Sequence, residues 1–200
     1  GYGALVSGRR RSETKLVTTV EGDRHRSHPD ELIVEEPMSI RLDGHLVATT
    51  MRTPGNDYEL AAGLCFTDGL LDGAPVRGVR YCADGAASES AFNAVTVETG
   101  GRAPVPTPRL GNTTSSCGVC GSESIDQLSA RLAPMPPIQP IPLALVREIP
   151  ARVLGAQGLF ASTGAVHAAA AFTRDGEIVL TREDVGRHNA VDKVVGALLL

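Results

Sequence analysis

The sequence is poor in aromatic residues and in lysine, and both shortages limit what the protein can be. It has no tryptophan and four phenylalanines among 200 residues, so its core must be aliphatic. Lys15 and Lys193 are its only lysines, and no run of like charge is longer than residues 9–11. With a net charge of −4, such a chain has no broad basic face for duplex nucleic acid. A nucleic-acid partner is therefore not expected.

Long apolar runs are also missing. The longest ones, such as residues 166–172, which His167 interrupts, are far shorter than the ~20 residues that cross a bilayer, so no membrane-spanning segment is expected. Four cysteines are too few for a disulfide-stapled secreted domain, and a reducing cytoplasm fits this usage best. The arginines at 9–11 precede polar residues rather than the apolar stretch of an export signal. We therefore interpret residues 1–29 as a polar arm and residues 30–200 as one domain, which can include a small hairpin lobe over 30–110.

Turn residues and apolar periodicity predict strands that alternate with helices. Two hairpins are expected to turn at Asp43-Gly44 and Asp175-Gly176, because these dipeptides suit the positive φ angles of tight turns. Further strands are predicted over 76–82 and 92–99. Helices are predicted over 57–70, after Ser122 or Ser124, from Pro150 to about residue 160, and from about His188 to the end of the chain. These elements predict an α/β domain with a mixed β-sheet covered by helices.

The strongest local signal is Cys117-Gly118-Val119-Cys120, which lies between small residues just before a predicted helix. The dipole and the amides of a helix start favour the thiolate, which is the nucleophilic form of cysteine. Four uses of such a pair compete: a disulfide oxidoreductase, half of a zinc site, a persulfide relay and two structural thiols. The spacing by itself leaves all four open.

The surrounding sequence weighs against the first two uses. A thioredoxin-like enzyme would carry the pair after an N-terminal strand, whereas here it follows a glycine- and proline-rich loop at 100–111. A zinc site needs two more ligands, and the chain offers only the scattered Cys65, Cys82, His167 and His188. No metal site is therefore predicted. The two remaining cysteines are interpreted as small buried hydrophobes.

A second candidate site combines His167 with the polar segment at residues 182–189. His167 follows Thr163 and Gly164 in an apolar run; a core histidine is the simpler interpretation, although these small neighbours would let a ligand approach. The segment Arg182-Glu183-Asp184-Val185-Gly186-Arg187-His188-Asn189 joins a predicted strand to a predicted helix, and the amides at a helix start bind anions. A salt-bridged loop that caps the helix explains the same residues equally well.

Four segments of the sequence are informative in combination: Glu36-Pro37, Met51-Arg52-Thr53-Pro54-Gly55, residues 114–121 around the cysteine pair, and residues 182–193. Together they resemble the FdhD/NarQ family, the formate dehydrogenase accessory sulfurtransferases. A lone pair of cysteines is a weak signal, but the combination of these four segments is highly specific.

The resemblance implies a function, a fold and partners. Family members accept persulfide sulfur from a cysteine desulfurase and pass it to molybdenum in a bis(molybdopterin guanine dinucleotide) cofactor, before the cofactor enters formate dehydrogenase. They resemble cytidine deaminase, with a three-layer αβα fold, and form homodimers. The family also continues past the last predicted helix, with a further segment implicated in cofactor binding. By this resemblance the chain is expected to lack the C-terminal part of the family domain.

The same resemblance assigns roles to residues of both candidate sites. Cys117 is expected to hold the persulfide, since it is the first cysteine of the motif and lies farther from the helix than Cys120. Cys120 is expected to assist release or exchange of the sulfur. Arginine side chains and helix-start amides can bind the phosphate or guanine groups of the cofactor without a metal. The pocket for these groups is predicted to be bordered by Thr163, Gly164, His167, Arg187, His188 and Asn189.

Overall fold

The computed structural model describes residues 9–81, 92–106, 137 and 139–200. Within these ranges the chain forms eight strands and four helices. In chain order they are β1 (Ser12–Glu21), β2 (Arg24–Ile33), β3 (Glu36–Leu42), β4 (His45–Arg52), α1 (Asp57–Thr67), β5 (Gly78–Tyr81), β6 (Ala94–Glu98), α2 (Leu143–Leu154), α3 (Gly158–Thr163), β7 (His167–Phe172), β8 (Ile178–Asp184) and α4 (Arg187–Leu199). The mixture of strands and helices confirms the α/β class.

The central sheet has the strand order β4-β3-β6-β5. Its β3–β4 and β5–β6 pairs are antiparallel and its β3–β6 pair is parallel, so the sheet is mixed as predicted. The β3–β4 hairpin turns at Asp43 and Gly44, whose φ angles of 46° and 90° suit a tight turn. This confirms the first hairpin. The Asp43 carboxylate then accepts hydrogen bonds from the Thr99 and Gly101 amides, and these bonds tie the turn to the end of β6.

One face of the central sheet carries the hydrophobic core. Alternate residues of β3 and β6 point to this face and pack against α1; the buried set is Met38, Ile40, Leu42, Leu60, Ala61, Cys65, Leu71, Val95 and Val97. All of these side chains are aliphatic or contain sulfur, in agreement with an aliphatic core. Burial, together with the charges of nearby carboxylates such as that of Asp68, raises the pKa of the Cys65 thiol to about 12. Cys65 is therefore an inert core thiol, as its apolar neighbours predict.

Helix α4 crosses α1 at very short range, and two glycines make this contact. A methyl group at Gly63 of α1 would lie 1.9 Å from the carbonyl oxygen of Asp192, and one at Gly196 of α4 would lie 1.8 Å from that of Glu59. Only a hydrogen atom fits at either position. The outer face of α4 leaves Val191 exposed, so the described residues do not bury the whole helix.

The second predicted hairpin is also present, as the antiparallel pair β7–β8. It turns through residues 173–177, where Gly176 has a φ of 83°, so the turn expected at Asp175-Gly176 is confirmed. Helix α4 packs against this hairpin, and α2 contacts the turn, where Arg152 Nη1 donates to the Gly176 carbonyl at 2.9 Å.

The predicted start of the helix at Pro150 is wrong. Helix α2 begins at Leu143, with Pro142 at its N-cap, and Pro150 lies inside it. Proline removes the hydrogen bond to the carbonyl four residues earlier, here that of Val146. None of the α2 residues is buried, so solvent can reach this region of the helix. The helix ends at Leu154, and residues up to 163 form the separate helix α3.

The N-terminal segment differs from the polar arm expected over residues 1–29. Residues 12–33 form a long antiparallel hairpin, β1–β2, so the expected boundary after residue 29 falls inside β2. Composition alone suggested an arm, because the strand residues are mostly polar and exposed. The helix predicted after Ser122 or Ser124 lies outside the described residues. Within the described ranges, no helix is long and apolar enough to cross a membrane.

Candidate functional site

The carboxylate of Asp184 is the centre of a buried polar network at the end of β8. It accepts hydrogen bonds from the Thr53 amide at 3.1 Å, the Gly186 amide at 2.8 Å and Asn189 Nδ2 at 3.0 Å. It also pairs with Lys193 Nζ at 2.7 Å. Asp184 and Lys193 are both fully buried. The network therefore fixes the first turns of α4 against the segment that follows β4.

Burial makes this ion pair depend on its hydrogen bonds, because a buried charge without partners is strongly unfavourable. Burial lowers the pKa of Lys193, and the Asp184 carboxylate opposes that shift. Lys193 Nζ donates a further bond to the Thr53 carbonyl at 2.9 Å, and the Val185 amide donates to Thr53 Oγ1 at 3.0 Å. Thr53 is thus bound to β8 and α4 by its amide, its carbonyl and its hydroxyl.

A second buried cluster, around Arg52, lies next to the first. Arg52 is fully buried and makes a two-pronged contact with Asp57, from Nε at 3.1 Å and from Nη2 at 2.9 Å. Its Nη1 also donates to Glu36 Oε2 at 3.3 Å. Tyr81 donates its hydroxyl hydrogen to Asp57, and burial, followed by the charge of Asp57, raises the pKa of Tyr81. The cluster holds the start of α1 against β3 and β4.

Two predicted pocket residues lie at the end of α3, and a third opens the next strand. Thr163 is the last residue of α3 and donates to the Leu159 carbonyl at 2.7 Å. Gly164 follows with a φ of 64°, which reverses the chain into β7. His167 opens β7, is exposed, and is paired in register with Asp184 of β8.

The other three predicted pocket residues form the first turn of α4. Arg187 and His188 are exposed. Asn189 is buried, and its amide group donates to the Met51 carbonyl at 2.8 Å as well as to Asp184. The pairing of His167 with Asp184 therefore puts the start of β7 and the start of α4 at the same end of the hairpin.

The acidic residues of the segment 182–189 are engaged within the protein. Glu183 accepts hydrogen bonds from the Leu159 amide at 3.0 Å and the Phe160 amide at 2.8 Å, so it caps α3. Arg182 binds both carboxylate oxygens of Glu59 on α1. Of the two interpretations of this segment, the salt-bridged, capping loop thus describes residues 182–184. The exposed Arg187 and His188 remain accessible to a ligand.

Sequence reasoning missed Asp184, Thr53 and Lys193 as the structural centre of this site. These residues belong to two of the four segments that resemble the family, and this was the available signal. The contacts of Thr53 with Asp184 and Lys193, however, span 131 and 140 positions of sequence. Cys117 and Cys120, the predicted sulfur-carrying residues, lie outside the described residues, as does Cys82. Among the described residues, no three His, Cys, Asp or Glu side chains are grouped as metal ligands would be.

Comparison with known proteins gives one consistent result. The model of the FdhD/NarQ family matches residues 33–200. The chain is 43% identical over 197 residues to the sulfur carrier protein FdhD of Streptomyces coelicolor, covering 94% of this chain and 70% of that protein. It is 43% identical over 199 residues to the same-named protein of Mycolicibacterium paratuberculosis, with 96% and 71% covered. For the protein of Mycobacterium tuberculosis the identity is 40% over 192 residues, with 91% and 70% covered.

A solved structure shares the fold. It is a crystal structure described as a formate dehydrogenase accessory protein from Desulfotalea psychrophila, and it superposes with a TM-score of 0.70 at 23% identity. The match covers 96% of this chain and 70% of that one. The predicted likeness to cytidine deaminase stays a prediction.

Proposed function

This chain belongs to the FdhD/NarQ family, and from that premise we propose that it is a sulfur carrier in the maturation of formate dehydrogenase. The observation that carries the proposal is the 43% identity, over nearly the whole chain, to proteins named as sulfur carriers. The sequence supports it further, since a cysteine pair at Cys117 and Cys120 supplies thiols suited to sulfur exchange. We place this activity in the cytoplasm, in a homodimer.

The first step is sulfur uptake by Cys117 from a cysteine desulfurase. The Cys117 thiolate attacks the terminal sulfur of a persulfide on the desulfurase. A new S–S bond forms on Cys117, the S–S bond on the desulfurase breaks, and the desulfurase cysteine leaves as a thiolate. The sulfur atom and one proton move together as a persulfide, so no net oxidation takes place.

The second step releases the sulfur with the help of Cys120. The Cys120 thiolate attacks the Cys117 sulfur that carries the persulfide, which forms a Cys117–Cys120 disulfide and expels hydrosulfide. The expelled sulfur gains two electrons, which the two cysteines lose in forming their disulfide. Hydrosulfide is the form that molybdenum of the bis(molybdopterin guanine dinucleotide) substrate accepts, and a cellular dithiol reduces the disulfide for the next cycle.

The cofactor is the substrate of this reaction, and the exposed residues at the start of β7 and α4 suit its phosphate and guanine groups. Arg187 offers a planar fork for phosphate oxygens, and His167 and His188 offer ring nitrogens. Asn189 has a different role, because its amide is already bonded to Met51 and Asp184. It positions the helix start, while Thr163 and Gly164 lead the chain into β7 ahead of His167.

The test is to load the protein with labelled sulfur from cysteine and a desulfurase. We expect the native chain and Cys120→Ala to bind label that cold cyanide removes, and Cys117→Ala to bind none. Cys120→Ala should then retain its label when the acceptor cofactor is added, because it lacks the thiol that expels the sulfur. Cys65→Ala is the matched control: the pKa of this buried thiol is about 12, so its removal should leave labelling unchanged.

Two results would contradict the proposal. Full labelling of Cys117→Ala with loss in Cys120→Ala would reverse the two roles. Labelling of the Cys117→Ala/Cys120→Ala double variant at the native level would eliminate the mechanism.

A further inference from the structure

The β1–β2 hairpin has one long strand edge that is open to solvent. Among the described residues, β1 pairs with β2 alone, in an unbroken register from Ser12 to Glu21. Apart from Ser12 and Val17, every residue of β1 is exposed. Helix α3 contacts the hairpin through β2. A two-stranded hairpin is only marginally stable by itself in water, and an open edge of this length is a template for a further strand.

The hydrogen bonds of the hairpin show which β1 residues direct their backbone groups to the open edge. At the base of the hairpin the Val34 amide donates to the Arg11 carbonyl at 2.9 Å. Hydrogen-bonded and non-hydrogen-bonded pairs alternate along an antiparallel ladder. The odd-numbered residues of β1 therefore bond to β2. The even-numbered residues, among them Leu16, Thr18 and Val20, direct their amides and carbonyls away from it.

The opposite edge of the hairpin, on β2, is protected by a proline. Pro29 lies opposite Leu16, at a position where an amide would point outward, and proline has no amide hydrogen to donate. Proteins protect exposed sheet edges in this way. Strand β1 contains no proline, and half of its residues are threonine or valine, which favour extended backbone. Its edge is therefore the one that can accept a strand.

The sequence of β1 is complementary to itself when two copies run antiparallel about Thr18. In this register Lys15 lies opposite Glu21 of the second copy, and Leu16 lies opposite Val20 of the second copy. Two-fold symmetry forms each of these pairs twice. The exposed fractions of Leu16 and Val20 are 77% and 58% in the single chain, so the pairing covers two exposed apolar side chains.

Other registers lose this match. If the pairing were centred on Val17, Glu13 would lie opposite Glu21 of the second copy, and like charges directly opposite each other are unfavourable. In the single chain Lys15 Nζ binds the Glu13 carboxylate at 2.6 Å, and both side chains are about half exposed. Lys15 therefore has room to contact a second carboxylate. An exposed ion pair adds little affinity, but its charges select the register.

We propose that two copies of this chain join their β1 strands, antiparallel about Thr18, into one four-stranded sheet. The two β2 strands then form the outer edges of this sheet, each protected by Pro29. The proposal rests on the homodimer of the proposed function and assigns its interface. Residues 12–32 of the hairpin precede the segment matched by the family model.

The first experiment compares proline substitutions on the two edges of the hairpin. Thr18→Pro removes an amide that points to the second copy, whereas Ser27→Pro, directly opposite in the hairpin, removes one that points away from it. Both variants lose the same 3.0 Å hydrogen bond between the Thr18 and Ser27 hydroxyls, so they are matched. Sedimentation equilibrium should give a dimer for the native chain and for Ser27→Pro. Thr18→Pro should raise the dissociation constant at least about tenfold, because both copies lose a backbone hydrogen bond.

The second experiment tests the register with cysteine. Residues of a hydrogen-bonded antiparallel pair have Cα atoms about 5.5 Å apart, within the range of a disulfide. Thr18→Cys should therefore form a disulfide-linked dimer under mild oxidation. Ser27→Cys is the control, because three strand spacings, about 14 Å, separate the two copies of this position. The native chain, with its own four cysteines, gives the background.

The outcomes separate this interface from its alternatives. Dissociation by Thr18→Pro alone, with cross-linking of Thr18→Cys alone, is the expected result. A monomeric native chain, a dimer that Thr18→Pro leaves intact, or equal cross-linking of the two cysteine variants would overturn the proposal. If both proline variants dissociated, the cross-linking would decide between this interface and a disrupted hairpin. Sulfur transfer is not measured, so a failure of the carrier role of Cys117 leaves these results unaffected.

Discussion

Alanine at either glycine of the α1–α4 crossing is expected to destabilise the protein. The methyl group of Gly63→Ala would lie 1.9 Å from the carbonyl oxygen of Asp192. The methyl group of Gly196→Ala would lie 1.8 Å from the carbonyl oxygen of Glu59. Carbon and carbonyl oxygen atoms in contact stay about 3.3 Å apart, so the helices would have to separate by roughly 1.4 Å. Overpacking typically costs about 1–3 kcal/mol, and occasionally more. The higher helix propensity of alanine offsets only about 1 kcal/mol of this cost.

The separation would also stretch the contacts that α4 makes with its neighbours. Lys193 lies beside Asp192 and binds Asp184 and Thr53 through fully buried contacts. We therefore expect each substitution to lower the free energy of unfolding by about 2–4 kcal/mol, within the range that overpacking and damage to a buried ion pair produce. This is a large part of the ~5–15 kcal/mol available to a typical domain.

The assay is urea unfolding followed by far-ultraviolet circular dichroism, since the chain has no tryptophan for fluorescence. Gly158→Ala is the matched control, because Gly158 opens α3 and a methyl group there meets no atom within 4 Å. It should leave the free energy of unfolding unchanged or raise it by up to about 1 kcal/mol. If Gly63→Ala and Gly158→Ala gave the same free energy, the close helix crossing would not exist.

Three further outcomes follow from the site. Burial raises the pKa of Asp192 from 3.8 to about 6. The folded state therefore keeps the Asp192 proton up to a higher pH than the unfolded state does. The free energy of unfolding consequently falls as pH rises from about 4 to about 6. In urea unfolding, the free energy of unfolding of Asp192→Asn should equal that of the native chain near pH 4 and exceed it at pH 7.5. If the free energy of the variant fell with pH as steeply as that of the native chain, the prediction would be wrong. Lys193→Met should cost about 3–5 kcal/mol by leaving Asp184 unpaired, whereas Lys15→Met, at the only other lysine, should cost under about 0.5 kcal/mol. Arg187→Ala should weaken guanosine diphosphate binding about tenfold without changing stability. If the affinity were unchanged, the pocket would have to lie elsewhere.

Local signals in the sequence predicted the β3–β4 and β7–β8 hairpins and the aliphatic core. Asp43-Gly44 and the turn at Gly176 adopt the positive φ angles that their residue types favour, so each turn was predictable from two residues. The aliphatic core followed from the scarcity of aromatic residues. Pro150 was misleading because its preference for a helix start is weaker than the preference of the whole segment 143–154 for one continuous helix.

Long-range contacts explain what the sequence did not predict. The sequence around Gly63 and Gly196 does not mark these glycines as contact residues. Their role arises only where the two helices cross. The segment 182–189 supported two interpretations because charged residues beside a helix can bind either each other or a ligand. The structure separates these residues by their partners: Glu183 and Asp184 are buried and bonded, whereas Arg187 is exposed.

The contact between Thr53 and Asp184 also determines when the site can form during folding. These residues are 131 positions apart, and closing so long a loop has an entropic cost that must be met before its hydrogen bonds form. During synthesis the residues around Thr53 leave the ribosome long before Asp184, at about 5–20 residues per second. The first turn of α4 therefore takes up its position late. A nascent chain cannot present Arg187 and His188 to a ligand until residues 184–196 have docked, so ligand binding reports this docking step.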